Sequence, residues 1–300
     1  MKTWFITGAA QGFGREWAEA ALERGDQVVV TSRSVERLQP LVEQYGERVL
    51  ALSLDVTERA AGIAAMQQAV DHFGRVDVLI NNAGYGLFGA LEEVTEEQFR
   101  EQIEVNLYGV AWLTQAAIPH MRAQGGGHII QVSSVAGVSA FANLGVYHAS
   151  KWAVEGMTQA VAMEVAPFGI KMTLIEPARF GTAWAGDSAV IAEPNPLYDW
   201  ARAARKERDA GRPVGDPKAT RAAILAIVDA EEPPLRILFG RGAVGRIAKE
   251  YQDRVALWEQ WQEVGEAAAG DGLPNPAADE PPLDPRPEMT GPSASRVPLR

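Results

Sequence analysis

Seven short runs of apolar and β-branched residues alternate along the chain with segments of helical spacing, and no other feature constrains the fold as tightly. The runs are Trp4 to Thr7, Gln27 to Thr31, Val49 to Ser53, Val76 to Asn81, His128 to Val132, Lys171 to Glu176 and Leu235 to Phe239. Apolar and β-branched residues fill most of each run rather than every second position, the pattern of a strand buried on both faces. Between them, Phe13, Trp17, Ala20 and Ala21 recur at helical spacing before the stop Arg24-Gly25-Asp26, and Phe99, Ile103 and Leu107 recur within residues 95–123. Such alternation closes as parallel βαβ units with right-handed crossovers. The expectation is an α/β fold, a doubly wound parallel sheet of about seven strands with helices on both faces.

Composition narrows the function. A net charge of −11 argues against the basic surface that a phosphate backbone requires, so no nucleic-acid partner is expected. Without cysteine there is no disulfide, thiolate nucleophile or thiolate metal site, and the histidines at 72, 120, 128 and 148 lack ligand spacing. No metal is expected. The N-terminus reaches Gly8 too early for the apolar core of a secretory leader, and no apolar run approaches the roughly 20 residues that span a bilayer. A cytoplasmic protein with no membrane partner is the expectation.

One domain is expected over residues 1–268. Residues 183–212, with Trp184, Trp200 and the basic run Arg202 to Arg208, read either as a mobile helical insertion or as a solvated surface excursion. Asp216-Pro217 supplies an N-cap and first residue for a helix ending near Asp229. Ile247, Tyr251, Val255, Trp258 and Trp261 predict a final amphipathic helix over 246–264. Eight of the 18 prolines and no aromatic residue fall in 270–300, which predicts a disordered tail.

The first run leads directly into Thr7-Gly8-Ala9-Ala10-Gln11-Gly12-Phe13-Gly14 and then a helix. Glycines in such a turn let the backbone bend tightly and bring a pyrophosphate to the helix N-terminus. The spacing, Gly-x-x-x-Gly-x-Gly, resembles that of the short-chain dehydrogenase/reductase family, and the resemblance extends over roughly residues 3–240. Asp55-Val56 follows the third strand and Asn81-Asn82-Ala83-Gly84 closes the fourth. Ser133-Ser134 ends the fifth, and Tyr147-His148-Ala149-Ser150-Lys151 opens the next helix. Ser134 precedes Tyr147 by the family's thirteen residues, and Asn106 falls at its fourth catalytic position.

This resemblance implies a Rossmann-type fold and a cofactor site at Thr7, Gly8, Gln11, Gly12, Phe13, Gly14, Ser32, Arg33, Asp55, Val56, Asn82, Ala83, Gly84, Tyr147, Lys151, Pro177 and Thr182. It implies catalysis by Ser134, Tyr147, Lys151 and Asn106. Reducing a carbonyl takes a hydride from the cofactor and a proton, which Tyr147 alone among the motif residues can supply. A free phenol, with a pKa of about 10, is a poor acid–base partner near neutrality. Lys151, one helical turn away, is expected to lower that value, aided by oxidised nicotinamide. Ser134 would hold the substrate oxygen; by resemblance, Lys151 also binds the nicotinamide ribose and Asn106 anchors a proton-relaying water.

NADP(H) is the expected cofactor. After the second strand Val30-Thr31-Ser32-Arg33 offers a guanidinium and no carboxylate before Glu36, where an acidic residue would select NAD. One departure from the family is Ala178 in Glu176-Pro177-Ala178, where Pro-Gly is usual. The pocket candidates Phe88, Phe141, Leu144 and Trp184 are apolar and imply an apolar ketone or secondary alcohol; Arg202 to Arg208 reads as a solvated helix face or, instead, as a contact for an acidic carrier or acyl group. A 3-oxoacyl reductase and a non-catalytic nucleotide sensor are the alternatives. Assembly through the helices of 95–123 and 147–167, as a homodimer or homotetramer, is expected from the resemblance.

Overall fold

The computed structural model describes residues 1–182, 184, 186 and 188–270. The tail expected over 270–300 lies, beyond Gly270, outside the described residues. The chain divides into two compact units, Met1–Arg241 and one beginning at Gly242.

The first unit opens with β1 (Thr3–Ile6), α1 (Gly12–Glu23), β2 (Gln27–Ser32), α2 (Gln39–Tyr45), β3 (Val49–Ser53), α3 (Arg59–Phe73) and β4 (Val78–Asn81). A short β5 (Leu87–Phe88) precedes α4 (Glu96–Ile103), α5 (Gly109–Ala123), β6 (Gly127–Val132), α6 (Gly145–Val165) and β7 (Ile170–Pro177). Then come β8 (Val190–Ile191), α7 (Asp199–Asp209), α8 (Arg221–Asp229) and β9 (Arg236–Phe239). The second unit contributes α9 (Ala243–Gln260) and α10 (Gln262–Ala267), broken near Trp261 where one continuous helix is predicted. Among the described residues no helix is long and apolar enough to cross a membrane.

All seven predicted strands enter one parallel sheet, ordered β3-β2-β1-β4-β6-β7-β9. Strand periodicity divides its core. Trp4, Ile6, Val28 and Val30 point to the side covered by Trp17 and Leu22 of α1 and Ile224 of α8. Phe5, Val29 and Leu79 point to the other, against Met66 of α3 and Leu113 and Met121 of α5. Between the layers, the Asn81 amide donates to Gln131 Oε1 at 2.8 Å and Thr114 Oγ1 at 3.1 Å. Strand order reverses between β1 and β4, and the crevice beyond their carboxyl ends is where ligands bind in sheets of this kind.

Two features have no counterpart in the sequence reading. β5 pairs with β8 in a separate parallel sheet, Leu87 opposite Val190 and Phe88 opposite Ile191. The helix predicted over 95–123 is interrupted by one wide π turn, Glu104–Tyr108, with Asn106 buried at its centre. Such turns recur at functional sites.

Candidate active site

The glycine turn sits at the switch point. Gly8 and Gly12 hold φ of +64° and +60°, conformations that side chains strain against. A Cβ on Gly14 would lie 2.6 Å from Asn82 Nδ2 and 2.7 Å from the Gly8 carbonyl. No side chain caps the N-terminus of α1 and no acidic residue stands in its first turn, so its amides remain available to an anion. Thr182 lies alongside, its Cβ and Cγ2 each 3.5 Å from a Cβ built on Gly12. This bare cradle fits the phosphates of a dinucleotide.

The other expected cofactor residues divide into wall and rim. Thr7 is wall: its buried hydroxyl accepts the amides of Asn82 and Ala83 at 2.9 Å each. The Asn82 amide donates back to the carbonyls of Thr7 and Gly8, locking β4 to the turn. Phe13 stacks on Trp17, 5.2 Å between centroids. Asp55 receives the Thr57 amide and hydroxyl in a tight turn, and Val56 fills the space a Cβ on Gly109 would need. At the rim, Ser32 Oγ accepts the Ser34 amide and Arg33 is exposed. Arg37, not singled out from sequence, donates to Gln11 Oε1 at 2.7 Å, while Gln11 Nε2 reaches Ser188 at 3.1 Å. Its spacing of four from Arg33 was the available signal.

Ser134, Tyr147 and Lys151 come together at the end of β6. Ser134 caps a short helical turn, its Oγ accepting the Ala136 amide at 3.1 Å and donating weakly to the Pro177 carbonyl at 3.5 Å. Lys151 Nζ donates to the Val132 carbonyl at 2.8 Å and lies 5.9 Å from the centre of the Tyr147 ring. Both helix residues are buried. Burial lowers the Lys151 ammonium to about 8, partly offset by the negative charge of Glu155 one turn further along. Burial also pushes the Tyr147 phenol well above the ordinary tyrosine value, with the Ser134 hydrogen bond pulling the other way. The expected lowering by Lys151 is therefore not realised in the protein alone, because desolvation opposes the phenolate more than a lysine at this distance favours it.

Asn106 is reached from the other side. Its Oδ1 accepts the Tyr85 amide at 3.2 Å, and its Nδ2 donates to the Tyr85 carbonyl at 3.0 Å and Ser150 Oγ at 3.3 Å. Both ends of the amide are thus engaged in holding Tyr85 and α6 to the π turn. Gly84 lies beside it: a Cβ there would come within 3.0 Å of Asn106 Oδ1.

Phe88, Ala136, Leu144 and Tyr147 form one buried apolar cluster, with Phe141, Trp184 and Ala189 packed against it. All four predicted pocket residues thus surround Tyr147. Trp184 lies 4.9 Å from the Tyr147 ring and 5.3 Å from Phe88. Ala178 is accommodated by a glycine elsewhere, since a Cβ on Gly240 would sit 2.9 Å from the Ala178 methyl. The histidines of this region are structural: His148 bonds the Ala136 carbonyl, and His128, pulled down to about 3 by burial, bonds Thr173. No cluster of metal-ligating side chains occurs among the described residues.

A doubly wound parallel sheet, an uncapped glycine cradle at its switch point, and Ser134, Tyr147 and Lys151 brought together beside an apolar cluster define a dehydrogenase-type α/β protein. Residues 2–189 match the family model for short chain dehydrogenase. The chain is 40% identical over 272 residues to Oxidoreductase BOA17 of Botryotinia fuckeliana, covering 89% of this chain and 99% of that protein. It superposes with a TM-score of 0.84 on a short-chain dehydrogenase from Streptomyces avermitilis, at 39% identity over 89% of this chain and 98% of the other. A Burkholderia phymatum member solved in complex with NAD superposes at 0.73, with 26% identity over 85% and 95% of the two chains. An alcohol dehydrogenase from Thermococcus sibiricus, complexed with 5-hydroxy-NADP, superposes at 0.65, with 28% identity over 80% and 96%. This chain belongs to the short-chain dehydrogenase family, and is an oxidoreductase by that membership.

Proposed function

We propose that this protein is an NADP(H)-dependent oxidoreductase that interconverts a carbonyl and a secondary alcohol on a largely apolar substrate. The carrying observation is the burial of Tyr147 in an apolar cluster with the Ser134 hydroxyl and Lys151 ammonium at hand. The glycine cradle would hold the pyrophosphate and Lys151 the nicotinamide ribose, and the bound dinucleotide supplies or accepts the hydride. Tyr147, protonated well past neutrality, donates the proton to the substrate oxygen as the carbonyl is reduced. Ser134 holds that oxygen; its bond to Pro177 is long enough to be exchanged. In the reverse direction the charge of the buried Lys151 stabilises the phenolate.

Cofactor choice rests on the rim of β2. Arg33 and Arg37 both stand there, and no carboxylate precedes Glu36. A 2′-phosphate would meet two guanidiniums, whereas a 2′-hydroxyl would meet no acceptor side chain of the NAD-selecting kind. Assembly as a homodimer or homotetramer is proposed through the faces of α4, the π turn, α5 and α6, where Phe99, Tyr108 and Met163 are exposed. The deciding experiment offers a panel of ketones and secondary alcohols with NADPH, NADH, NADP+ and NAD+, read by nicotinamide absorbance. Turnover favouring the phosphorylated cofactors is expected; no hydride transfer to or from any member would overturn the assignment.

A further inference from the structure

We propose that the inward face of α7 is an anion site at the apolar pocket, and that the substrate is an apolar carbonyl compound or secondary alcohol bearing a carboxylate. The inference rests on the function proposed above. Ala201, Arg202, Arg205 and Arg208 recur at spacings of three or less, which aligns them on one side of the helix. That side is turned in: Ala201 is buried and the three arginines are partly covered, while Ala203, Ala204, Lys206 and Glu207 are exposed. The basic run is therefore not the solvated face that its composition suggests.

Arg202 is neutralised. It pairs with Glu93 at 2.6 Å and Asp199 at 2.8 Å, and Glu93 also accepts the amides of Ala90 and Asn195. Arg205 and Arg208 are not matched in this way. The Arg205 guanidinium carbon lies 4.2 Å from the centre of Phe88, and that of Arg208 lies 4.1 Å from the centre of Phe141. Both rings belong to the cluster around Tyr147. Among the described residues one carboxylate, Asp209, serves both, 4.0 Å from Arg205 and 3.2 Å from Arg208. Its main-chain carbonyl also accepts Arg179 at 2.9 Å. Two guanidiniums thus share a single carboxylate, and that of Arg205 donates no hydrogen bond among the described residues.

Stacking on phenyl rings compensates a guanidinium for part of its lost hydration but offers nothing to its in-plane N–H donors. A carboxylate does, accepting two parallel N–H groups from one guanidinium fork. An apolar body against Phe88, Leu144 and Trp184, a reacting oxygen at Tyr147 and an anionic end at Arg205 and Arg208 therefore satisfy the pocket together.

The test is calorimetric titration of the full chain saturated with oxidised cofactor. The probes are cyclohexanecarboxylate and octanoate, each beside its carboxamide. Charge-assisted pairing predicts that at least one carboxylate binds about ten- to a hundredfold tighter than its amide. Arg205→Gln and, separately, Arg208→Gln should each cut that preference to threefold or less, with melting temperature checking that the variants fold. Equal binding of both pairs by the parent, or a preference unchanged in both variants, overturns the proposal. Turnover of 4-oxocyclohexanecarboxylate and its methyl ester separates this failure from that of the general function: reduction of both at equal kcat/KM removes the anion site and leaves the oxidoreductase. A carboxylate preference in binding, with no carbonyl reduced, supports the site and removes the reaction.

Discussion

The ammonium of Lys151 donates to the carbonyl of Val132, the last residue of β6, at 2.8 Å. Helical spacing places Lys151 and Tyr147 on one side of α6, and this bond ties the ammonium to the sheet 5.9 Å from the centre of the Tyr147 ring. The strand end that carries the serine thus also anchors the lysine, so the three side chains share one rigid support. Rigid support of this kind preorganises a charge for the moment of proton transfer.

Tyr147→Phe should cost about 10²- to 10⁴-fold in kcat, the usual contribution of general acid–base catalysis, while leaving cofactor binding within a few-fold of the parent. The ring and its contact with Trp184 are kept and only the transferable proton is lost. Steady-state rates and NADPH fluorescence titration decide it; a variant turning over near the parent rate would remove Tyr147 as the proton donor.

Arg33→Ala and Arg37→Ala should each weaken NADPH binding, and the double variant should weaken it most. A lost charge-assisted hydrogen bond costs roughly 1.5–3 kcal/mol, so about ten- to a hundredfold per residue is expected, with NADH affinity nearly unchanged. Equal losses for both cofactors would show that neither guanidinium reads the 2′-phosphate.

Gly14→Ala has no room for its methyl, which would meet the Asn82 amide and the Gly8 carbonyl. The turn must open, so loss of measurable NADPH binding is expected together with destabilisation of about 1–3 kcal/mol. Gly156→Ala, at an exposed position of α6, meets nothing within 4 Å and should instead stabilise by about 0.5–1 kcal/mol. Thermal denaturation of the pair checks both signs.

Glu176, buried at the end of β7, is raised to about 7 by its burial and by the neighbouring charge of Glu155, with Arg236 acting in the opposite sense. Arg236 is nearer Glu155, at 2.8 Å, than Glu176, at 3.7 Å. The folded chain therefore keeps a proton that the unfolded chain releases near the ordinary glutamate value. This group's contribution to stability falls as pH rises from about 4.5 through 7 and stays low above. Glu176→Gln removes that dependence, so it should match the parent at pH 5 and exceed it by about 1–3 kcal/mol at pH 8. An equal difference at both pH values would contradict the assignment.

The sequence by itself determined the parallel sheet, the glycine cradle and the order Asn106, Ser134, Tyr147, Lys151. Burial on both faces makes each strand read as a continuous apolar run, glycine is required where the backbone turns or is approached, and a helical turn carries residue four onto residue zero. Those are local constraints. Tertiary structure alone decided that Asn106 occupies a π turn, that Gly240 makes room for Ala178, and that burial raises the Tyr147 phenol in the chain by itself. It also decided which way the arginines of α7 point. Composition makes Arg202 to Arg208 look solvated, yet Glu93, Phe88 and Phe141, each more than 60 residues away in the chain, turn three of them inward. A desolvation cost and a partner's position depend on which distant segments pack together, so no spacing along one segment records them.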